Sequence, residues 1–283
     1  MKKAVVFGAG TMGSGIAQVA ATAGYYTHLC DLSEEFARRG YDNIKAGLDR
    51  QVAKGKLTEE GRDAILGNLI PTADLRCAAE ADIILEAVFE NVDVKTKLYA
   101  EIEKYAKPET LIGTNTSFIP ITKLAANMAH PERLIGIHFF VPVYAMKLVE
   151  IILGEKTSDE IRQAAQSFVQ ELKKESVLVM KDAPGFIVNR INYATYAEAF
   201  RCLEEGVASV EDIDKAMKLG LNHPMGPFEL CDFGGIGTLK DCFEIFYALT
   251  GDEKYRTPKI VSEKVEKGEI GKKAGKGFYD YTK

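Results

Sequence analysis

The glycine-rich turn near the start of the chain constrains the fold more than any other feature. Gly8, Gly10 and Gly13 fit the spacing G-x-G-x-x-G in "FGAGTMG". The turn follows a short β-branched strand and opens a helix of small residues. Asp31 ends the next strand, roughly 20 residues further on, as in a dinucleotide-binding unit. This combination predicts a twisted, mostly parallel sheet covered by helices.

The same turn predicts the ligand. Unpaired N–H groups at the start of a helix favour a pyrophosphate. Asp31 would accept hydrogen bonds from ribose hydroxyls and repel a 2′-phosphate, which favours NAD over NADP. The alternative is a glycine turn used only for close packing. The predicted cofactor-binding positions of the turn are Gly8, Ala9, Gly10, Thr11, Met12 and Gly13.

Strands alternate with helices along the first two thirds of the chain, ending with the strand "SVLVMKD". After "DAPGFIVNR" only helical periodicity is found. Alternating elements predict a doubly wound, mostly parallel sheet of the Rossmann type. We therefore expect an α/β domain over residues 1–184 and an all-helical domain over residues 185–283, divided at Pro184 and Gly185.

Composition excludes several classes of protein. The formal net charge of -5 argues against a nucleic-acid surface, which needs a basic face. The five cysteines contain no C-x-x-C pair and no close Cys/His cluster, so we expect free thiols in a reducing compartment and no metal. Glycines interrupt the uncharged run from Ala4 to Cys30, and no stretch of about 18 apolar residues exists. We expect a cytoplasmic protein that does not cross a membrane.

Glu150 stands in the apolar segment "AMKLVEIIL", which otherwise predicts a buried strand. An unpaired buried carboxylate costs several kcal/mol, so Glu150 needs a partner. His138 ends the preceding strand "IGIHFF", and only "VPVYAM" joins the two segments. A histidine oriented and charge-stabilised by a buried carboxylate is a standard acid–base device. We expect His138 and Glu150 to form such a pair, although a lone histidine is usually structural.

Other polar residues lie near predicted strand ends or at the domain junction. Glu90 and Lys95 follow the strand "ADIILEAV" and could meet a ribose or a phosphate, or simply begin a solvated helix. Asn115 and Ser117 in "TNTS" could bind a substrate oxygen or serve as turn and cap residues. Asn189 in "PGFIVNRI" is either a buried residue whose hydrogen bonds are only structural or a residue of the functional site. The residues alone leave these alternatives open.

Eight segments, in the right order over nearly the whole chain, resemble the L-3-hydroxyacyl-CoA dehydrogenases, most closely the bacterial 3-hydroxybutyryl-CoA dehydrogenases. They are "FGAGTMGSGIAQVAA", "NTS", "IHFF", "MKLVEII", "APGFIVNR", "EDIDKAMKLG", "HPMGPFEL" and "GKGFYDY". The resemblance implies a nicotinamide-binding domain followed by a helical domain that forms a homodimer interface. It also implies an acyl-CoA substrate, such as acetoacetyl-CoA or 3-hydroxybutyryl-CoA, bound between the domains.

The resemblance further implies roles for individual residues. His138 would be the general acid–base and Glu150 its partner, while Ser117 and Asn189 would hold the C3 oxygen of the substrate. Lys54 would bind CoA, although it could equally be a lysine that favours a helix C-terminus. The implied cofactor positions beyond the glycine turn are Asp31, Glu90, Lys95, Asn115, Ser117 and Lys273, the last of which could also belong to a solvated basic tail.

The chain departs from the family pattern at three positions. Val141 stands where an asparagine that touches the cofactor is usual, and Tyr144 where a proline is usual. Gly47 replaces a serine that can contact CoA. We therefore expect one cofactor hydrogen bond to be absent and the loop between His138 and Glu150 to differ in shape.

Three alternatives to this function remain. One is a family member that prefers longer acyl chains. Another is a β-hydroxyacid dehydrogenase of the phosphogluconate type, which uses a catalytic lysine and which "IHFF" followed by "LVEII" argues against. The third is a non-catalytic NAD-binding relative. That protein would have a damaged site, whereas Ser117, His138, Glu150 and Asn189 are all present.

Overall fold

The computed structural model describes residues 1–282, which form two compact units. The first unit is Met1–Phe186 and the second begins at Ile187. Among the described residues, no helix has both the length and the apolar character needed to cross a bilayer.

The first unit is built on one sheet of eight strands in the order β3-β2-β1-β4-β5-β6-β7-β8. All neighbouring pairs are parallel except β6 and β7. The predicted mostly parallel, Rossmann-type sheet is therefore confirmed. The strands are β1 Lys3–Phe7, β2 Tyr26–Cys30, β3 Leu69–Thr72, β4 Ile83–Glu86, β5 Leu111–Thr114, β6 Leu134–Phe139, β7 Leu148–Ile152 and β8 Glu175–Val179.

Helices cover both faces of this sheet. In β1, Val5 and Val6 point to opposite faces and are both fully buried, as in a strand packed on two sides. Polar N-caps such as Ser33 and Ser158 begin the longer helices. The helices of this unit are α1 Thr11–Thr22, α2 Glu34–Ala53, α3 Glu59–Gly67, α4 Val92–Ile102, α5 Ile121–Ala125 and α6 Asp159–Glu171.

Strand β3 is absent from the elements that the sequence predicts. It has four residues, "LIPT", and Pro71 has no N–H to donate to a neighbouring strand. Because β3 pairs only with β2 at the edge of the sheet, the missing donor is tolerated there.

The second unit is built of helices, as predicted for the C-terminal part of the chain, with two isolated β-bridges near its end. Aromatic side chains fill its core, including the buried rings of Phe200, Phe228, Phe243 and Phe246. Asp232 holds the C-terminal segment by accepting hydrogen bonds from the backbone N–H groups at positions 278 and 279. Its helices are α7 Val188–Glu204, α8 Val210–Leu221, α9 Pro227–Gly234, α10 Ile236–Thr250 and α11 Lys259–Glu266.

Candidate active site

The glycine turn connects β1 to α1 at the carboxyl end of the sheet, and each of its glycines meets a different constraint. Gly8 has φ +99°, and a Cβ there would lie 2.5 Å from the carbonyl oxygen of Ala87. A Cβ on Gly13 would lie 1.7 Å from the carbonyl oxygen of Gly8. A Cβ on Gly10 would meet no protein atom within 4 Å. The protein itself thus requires Gly8 and Gly13, whereas Gly10 leaves room for a ligand against the backbone.

The surroundings of this turn suit a dinucleotide. Helix α1 begins after Gly10 with no side-chain cap and no acidic residue in its first turn, so its first N–H groups remain available to a phosphate. The Asp31 carboxylate accepts hydrogen bonds from the Ala9 N–H at 2.6 Å and the Leu32 N–H at 2.7 Å. This fixes Asp31 beside the turn at the end of β2, where a ribose would be expected.

His138 lies between a carboxylate and a hydroxyl. Strands β6 and β7 place His138 directly opposite Glu150 in their antiparallel register. The ring Nδ1 is 2.8 Å from Oε2 of Glu150, and Nε2 is 3.1 Å from Oγ of Ser117. Because an ionised carboxylate only accepts, Nδ1 donates to Glu150, and Nε2 is left to exchange a proton on the Ser117 side.

This pair is shielded from solvent. Glu150 has no exposed surface and His138 is 3% exposed. The rings of Phe140 and Phe186 contact the imidazole with their centroids 4.7 and 5.6 Å from its own. Coulomb attraction is stronger in such surroundings than in water, so the carboxylate can stabilise a positive charge on the imidazole.

Two further side chains, Asn115 and Lys174, fix the surroundings of the histidine through three hydrogen bonds. The Asn115 Oδ1 accepts a hydrogen bond from the Phe139 N–H at 2.9 Å, which joins the end of β5 to β6. Lys174 donates to the carbonyl oxygens of Val143 and Met146, both at 2.6 Å, in the loop between β6 and β7. Burial lowers the pKa of Lys174. Sequence reasoning gave no role to Lys174, because only its position beside the loop reveals one.

Glu90 and Lys95 lie close together, but Lys95 is not the free lysine of a solvated helix start. Its side chain is 1% exposed, and its ammonium lies 2.6 Å from Glu86 and 3.3 Å from Glu90. Lys95 therefore stabilises two carboxylates at the end of β4. A direct contact of Lys95 with the cofactor stays a prediction.

The remaining predicted residues are distributed over both units. Lys54 is exposed at the C-terminal end of α2, and Gly47 lies within that helix. Val141 and Tyr144 are each 60% exposed in the loop between β6 and β7. With these two residues in the loop, the strands still pair His138 with Glu150. In the second unit, Asn189 lies in the first turn of α7 and Lys273 is exposed in a 3-10 turn; their roles toward substrate and cofactor stay predictions.

Comparison with known proteins decides the family. The model of the family "3-hydroxyacyl-CoA dehydrogenase, NAD binding domain" matches residues 3–183. The model of "3-hydroxyacyl-CoA dehydrogenase, C-terminal domain" matches residues 185–281. The chain belongs to the 3-hydroxyacyl-CoA dehydrogenase family. The predicted family membership and the assignment of an NAD-binding fold are thus confirmed.

Relatives that match over nearly their whole length carry specific names. The 3-hydroxybutyryl-CoA dehydrogenase of Bradyrhizobium diazoefficiens is 44% identical and covers 99% of this chain and 96% of its own. The crystal structure of (S)-3-hydroxybutyryl-CoA dehydrogenase PaaH1 from Ralstonia eutropha is 40% identical, with a TM-score of 0.93 and full coverage of both chains. The structure of M. tuberculosis FadB2 is 38% identical, with a TM-score of 0.94 and coverage of 100% and 99%.

Proposed function

We propose that this 3-hydroxyacyl-CoA dehydrogenase catalyses the reversible reduction of acetoacetyl-CoA, or a similarly short 3-oxoacyl-CoA, to (S)-3-hydroxybutyryl-CoA. The observation that carries the proposal is the buried imidazole of His138 between Glu150 and Ser117. The names of the full-length relatives favour the short acyl chain over a longer one.

His138 performs the proton chemistry in this proposal. With Nδ1 held by Glu150, the protonated ring gives the Nε2 proton to the C3 oxygen of the ketone as negative charge develops there. The Glu150 carboxylate stabilises the charged ring before the transfer and keeps the same tautomer afterwards. In the oxidising direction Nε2 takes the proton from the C3 hydroxyl.

Other residues of the chain bind and orient the reactants. NAD(H), when bound, supplies or accepts the hydride at C3. The glycine turn and Asp31 hold the dinucleotide. The hydroxyl of Ser117, adjacent to Nε2, hydrogen-bonds the C3 oxygen, and Asn189 is proposed as its second partner. Lys54 is proposed to attract a phosphate of CoA, since the chain is acidic overall and phosphate binding needs a local cation.

The test is NADH oxidation followed at 340 nm with acetoacetyl-CoA, with the parent enzyme and His138→Gln. We expect turnover by the parent, loss of about 10²- to 10⁴-fold in kcat in the variant, and (S)-3-hydroxybutyryl-CoA as the product. No turnover despite NADH binding would favour the non-catalytic alternative. Faster turnover of a longer 3-oxoacyl-CoA would favour the long-chain alternative. Activity on a free hydroxyacid, without CoA, would favour the phosphogluconate type.

We also propose that the enzyme works as a cytoplasmic homodimer formed through its helical unit. That unit contains an apolar concavity of about 690 Å³, lined by Ile191, Ala194, Ala199, Ile213, Met217 and Pro227 among others. Ile191 lines this concavity and is 63% exposed, and a contiguous exposed apolar surface is typical of an interaction site.

Sedimentation velocity tests this assembly. We expect a dimer for the parent and a monomer for Ile191→Asp, because a charge would be buried without a partner. Val94→Asp, on the exposed side of α4 in the other unit, is the control and should remain dimeric. A monomeric parent would exclude the dimer.

A further inference from the structure

One carboxylate oxygen accepts three hydrogen bonds from the turn that carries Ser117. Oε1 of Glu90 accepts hydrogen bonds from the Thr116 hydroxyl at 2.6 Å and from the backbone N–H groups of Ser117 and Phe118 at 2.9 and 3.1 Å. Three donors converging on one ionised oxygen make a strong, directional contact. The position of Ser117 at the end of β5 therefore depends on Glu90.

The second oxygen of Glu90 also has a partner within the chain. Oε2 lies 3.3 Å from the Lys95 ammonium, and the Glu90 side chain is 29% exposed. Both oxygens are thus engaged by this unit itself. This geometry gives Glu90 a role that does not depend on contact with a cofactor.

A fully buried network holds Lys95 in turn. Oε1 of Glu86 accepts from Lys95 at 2.6 Å and from the Val88 N–H at 2.8 Å. Its Oε2 accepts from Tyr99 at 2.7 Å and from Thr114 at 2.8 Å. Burial, together with the negative charge of Glu86, raises the pKa of the Tyr99 hydroxyl well above its usual value, so the hydroxyl remains a donor. Because both carboxylate oxygens of Glu86 are hydrogen-bonded, the network holds its members in one fixed arrangement.

We propose that Glu90, anchored by Lys95 and Glu86, is a positioning residue that sets the hydroxyl of Ser117 against Nε2 of His138. The chain of contacts runs from the end of β4, through the turn after β5, to the histidine on β6. The inference rests on the proposed function, since it assigns Glu90 an effect on proton transfer and not only on cofactor binding. It predicts that Glu90 affects kcat through Ser117.

A glutamine cannot replace this carboxylate. If its carbonyl oxygen faced the three donors of the turn, its NH₂ group would face the ammonium of Lys95. If the side-chain amide were flipped, its NH₂ group would face the three donors of the turn instead. Either orientation opposes donors to donors, so Glu90→Gln should shift the turn while preserving its size.

The experiment is a double-mutant cycle of Glu90→Gln and Ser117→Ala, measured as kcat for acetoacetyl-CoA at saturating NADH. A small misplacement of a reacting group can lower the rate by about 10²-fold, so we expect Glu90→Gln alone to lower kcat by about 10- to 100-fold. When Ser117 is already alanine, the same change should alter kcat by no more than about twofold, since the two residues act as one unit. The Kd for NADH is measured for all four proteins, and because kcat is taken at saturating NADH, a change in NADH binding does not enter the comparison of kcat values.

Glu103→Gln is a matched control. Glu103 also accepts from two consecutive backbone N–H groups, those of Ala129 and His130, and also pairs with a buried cation, Arg133, in the same unit. These partners of Glu103 are all different from the members of the His138, Ser117 and Glu90 network. We expect this variant to lower the melting temperature but to leave kcat within about twofold of the parent.

A readout without turnover separates this inference from the proposed function. In ¹⁵N-histidine-labelled protein, with the His138 resonances assigned through His138→Gln, we expect Ser117→Ala and Glu90→Gln to shift the Nε2 signal alike. We expect Glu103→Gln to leave it in place. An inactive parent would refute the function alone, because the resonance test would still stand. Equal kcat losses from Glu90→Gln in both backgrounds, or an unshifted Nε2 signal, would overturn the inference.

Discussion

Removing the charge of Glu150 while keeping its shape is the most informative perturbation of the site. Glu150 is fully buried, and its Oε2 lies 2.8 Å from Nδ1 of His138. Two unit charges at about 4 Å with an effective dielectric constant of about 20 attract by about 4 kcal/mol, which corresponds to about 10³-fold in rate. We therefore expect Glu150→Gln to lower kcat by about 10³-fold, within the roughly 10⁴-fold that the corresponding change causes in a serine-protease triad.

The assay compares four proteins: the parent, Glu150→Gln, His138→Gln and the double variant. Steady-state NADH oxidation gives kcat, and fluorescence titration gives the Kd for NADH. The double variant should be scarcely slower than either single variant, because the pair acts as a unit. All three variants should bind NADH with a Kd close to that of the parent, since the glycine turn and Asp31 are unchanged. Glu175→Gln, on the exposed edge of the neighbouring strand β8, is the control for a loss of charge. Parent-like turnover by Glu150→Gln would refute the reasoning.

Three further predictions concern binding and stability. Asp31 should make NADH strongly preferred over NADPH in steady-state kinetics, and Asp31→Ala should weaken that preference. Lys54→Ala should raise KM for acetoacetyl-CoA with little change in kcat, as expected for lost uniform binding. Lys264 and Lys276 hold the pKa of Glu269 at about 2, below its usual 4.5. Glu269 should therefore stabilise the helical unit above about pH 4.5 and cease to do so as the pH falls toward 2.

Each of these predictions has a control and a contradicting result. Equal kcat/KM with NADPH would remove the role of Asp31 in selecting the cofactor. Lys56→Ala is the control for a loss of local charge, because Lys56 lies two residues from Lys54 and is also exposed. An unchanged KM for acetoacetyl-CoA in Lys54→Ala would exclude Lys54 from the site. The melting temperatures of the parent and Glu269→Gln should differ at pH 6 and converge near pH 2. A difference in melting temperature that grows as the pH falls would contradict the expected direction of the pH dependence.

The parts of the site that sequence predicts are those set by local pattern. The glycine turn, the strand before it and Asp31 after it lie within one βαβ unit, so their spacing fixes their geometry. The pairing of His138 with Glu150 follows from burial, because a carboxylate inside an apolar strand needs a partner on its neighbour. The short link between β6 and β7 then leaves an antiparallel register as the simplest arrangement.

The parts that sequence did not predict depend on contacts between distant elements. The ion pair of Glu86 and Lys95 joins a strand end to a helix across a turn, and a lysine near a helix start is usually solvated. The bond from Ser117 to Glu90 spans 27 residues. Strand β3 escapes prediction because Pro71 argues against a strand except at an edge, and the edge is known only once the sheet order is known.

The most direct test of the central claim, that His138 supplies the proton as C3 is reduced, is a single-turnover measurement. NADH-loaded enzyme is mixed with acetoacetyl-CoA, and NADH fluorescence is followed by stopped flow. We predict that His138→Gln binds both reactants but transfers hydride at least about 10²-fold more slowly than the parent. Hydride transfer at the parent's rate in His138→Gln would contradict the claim.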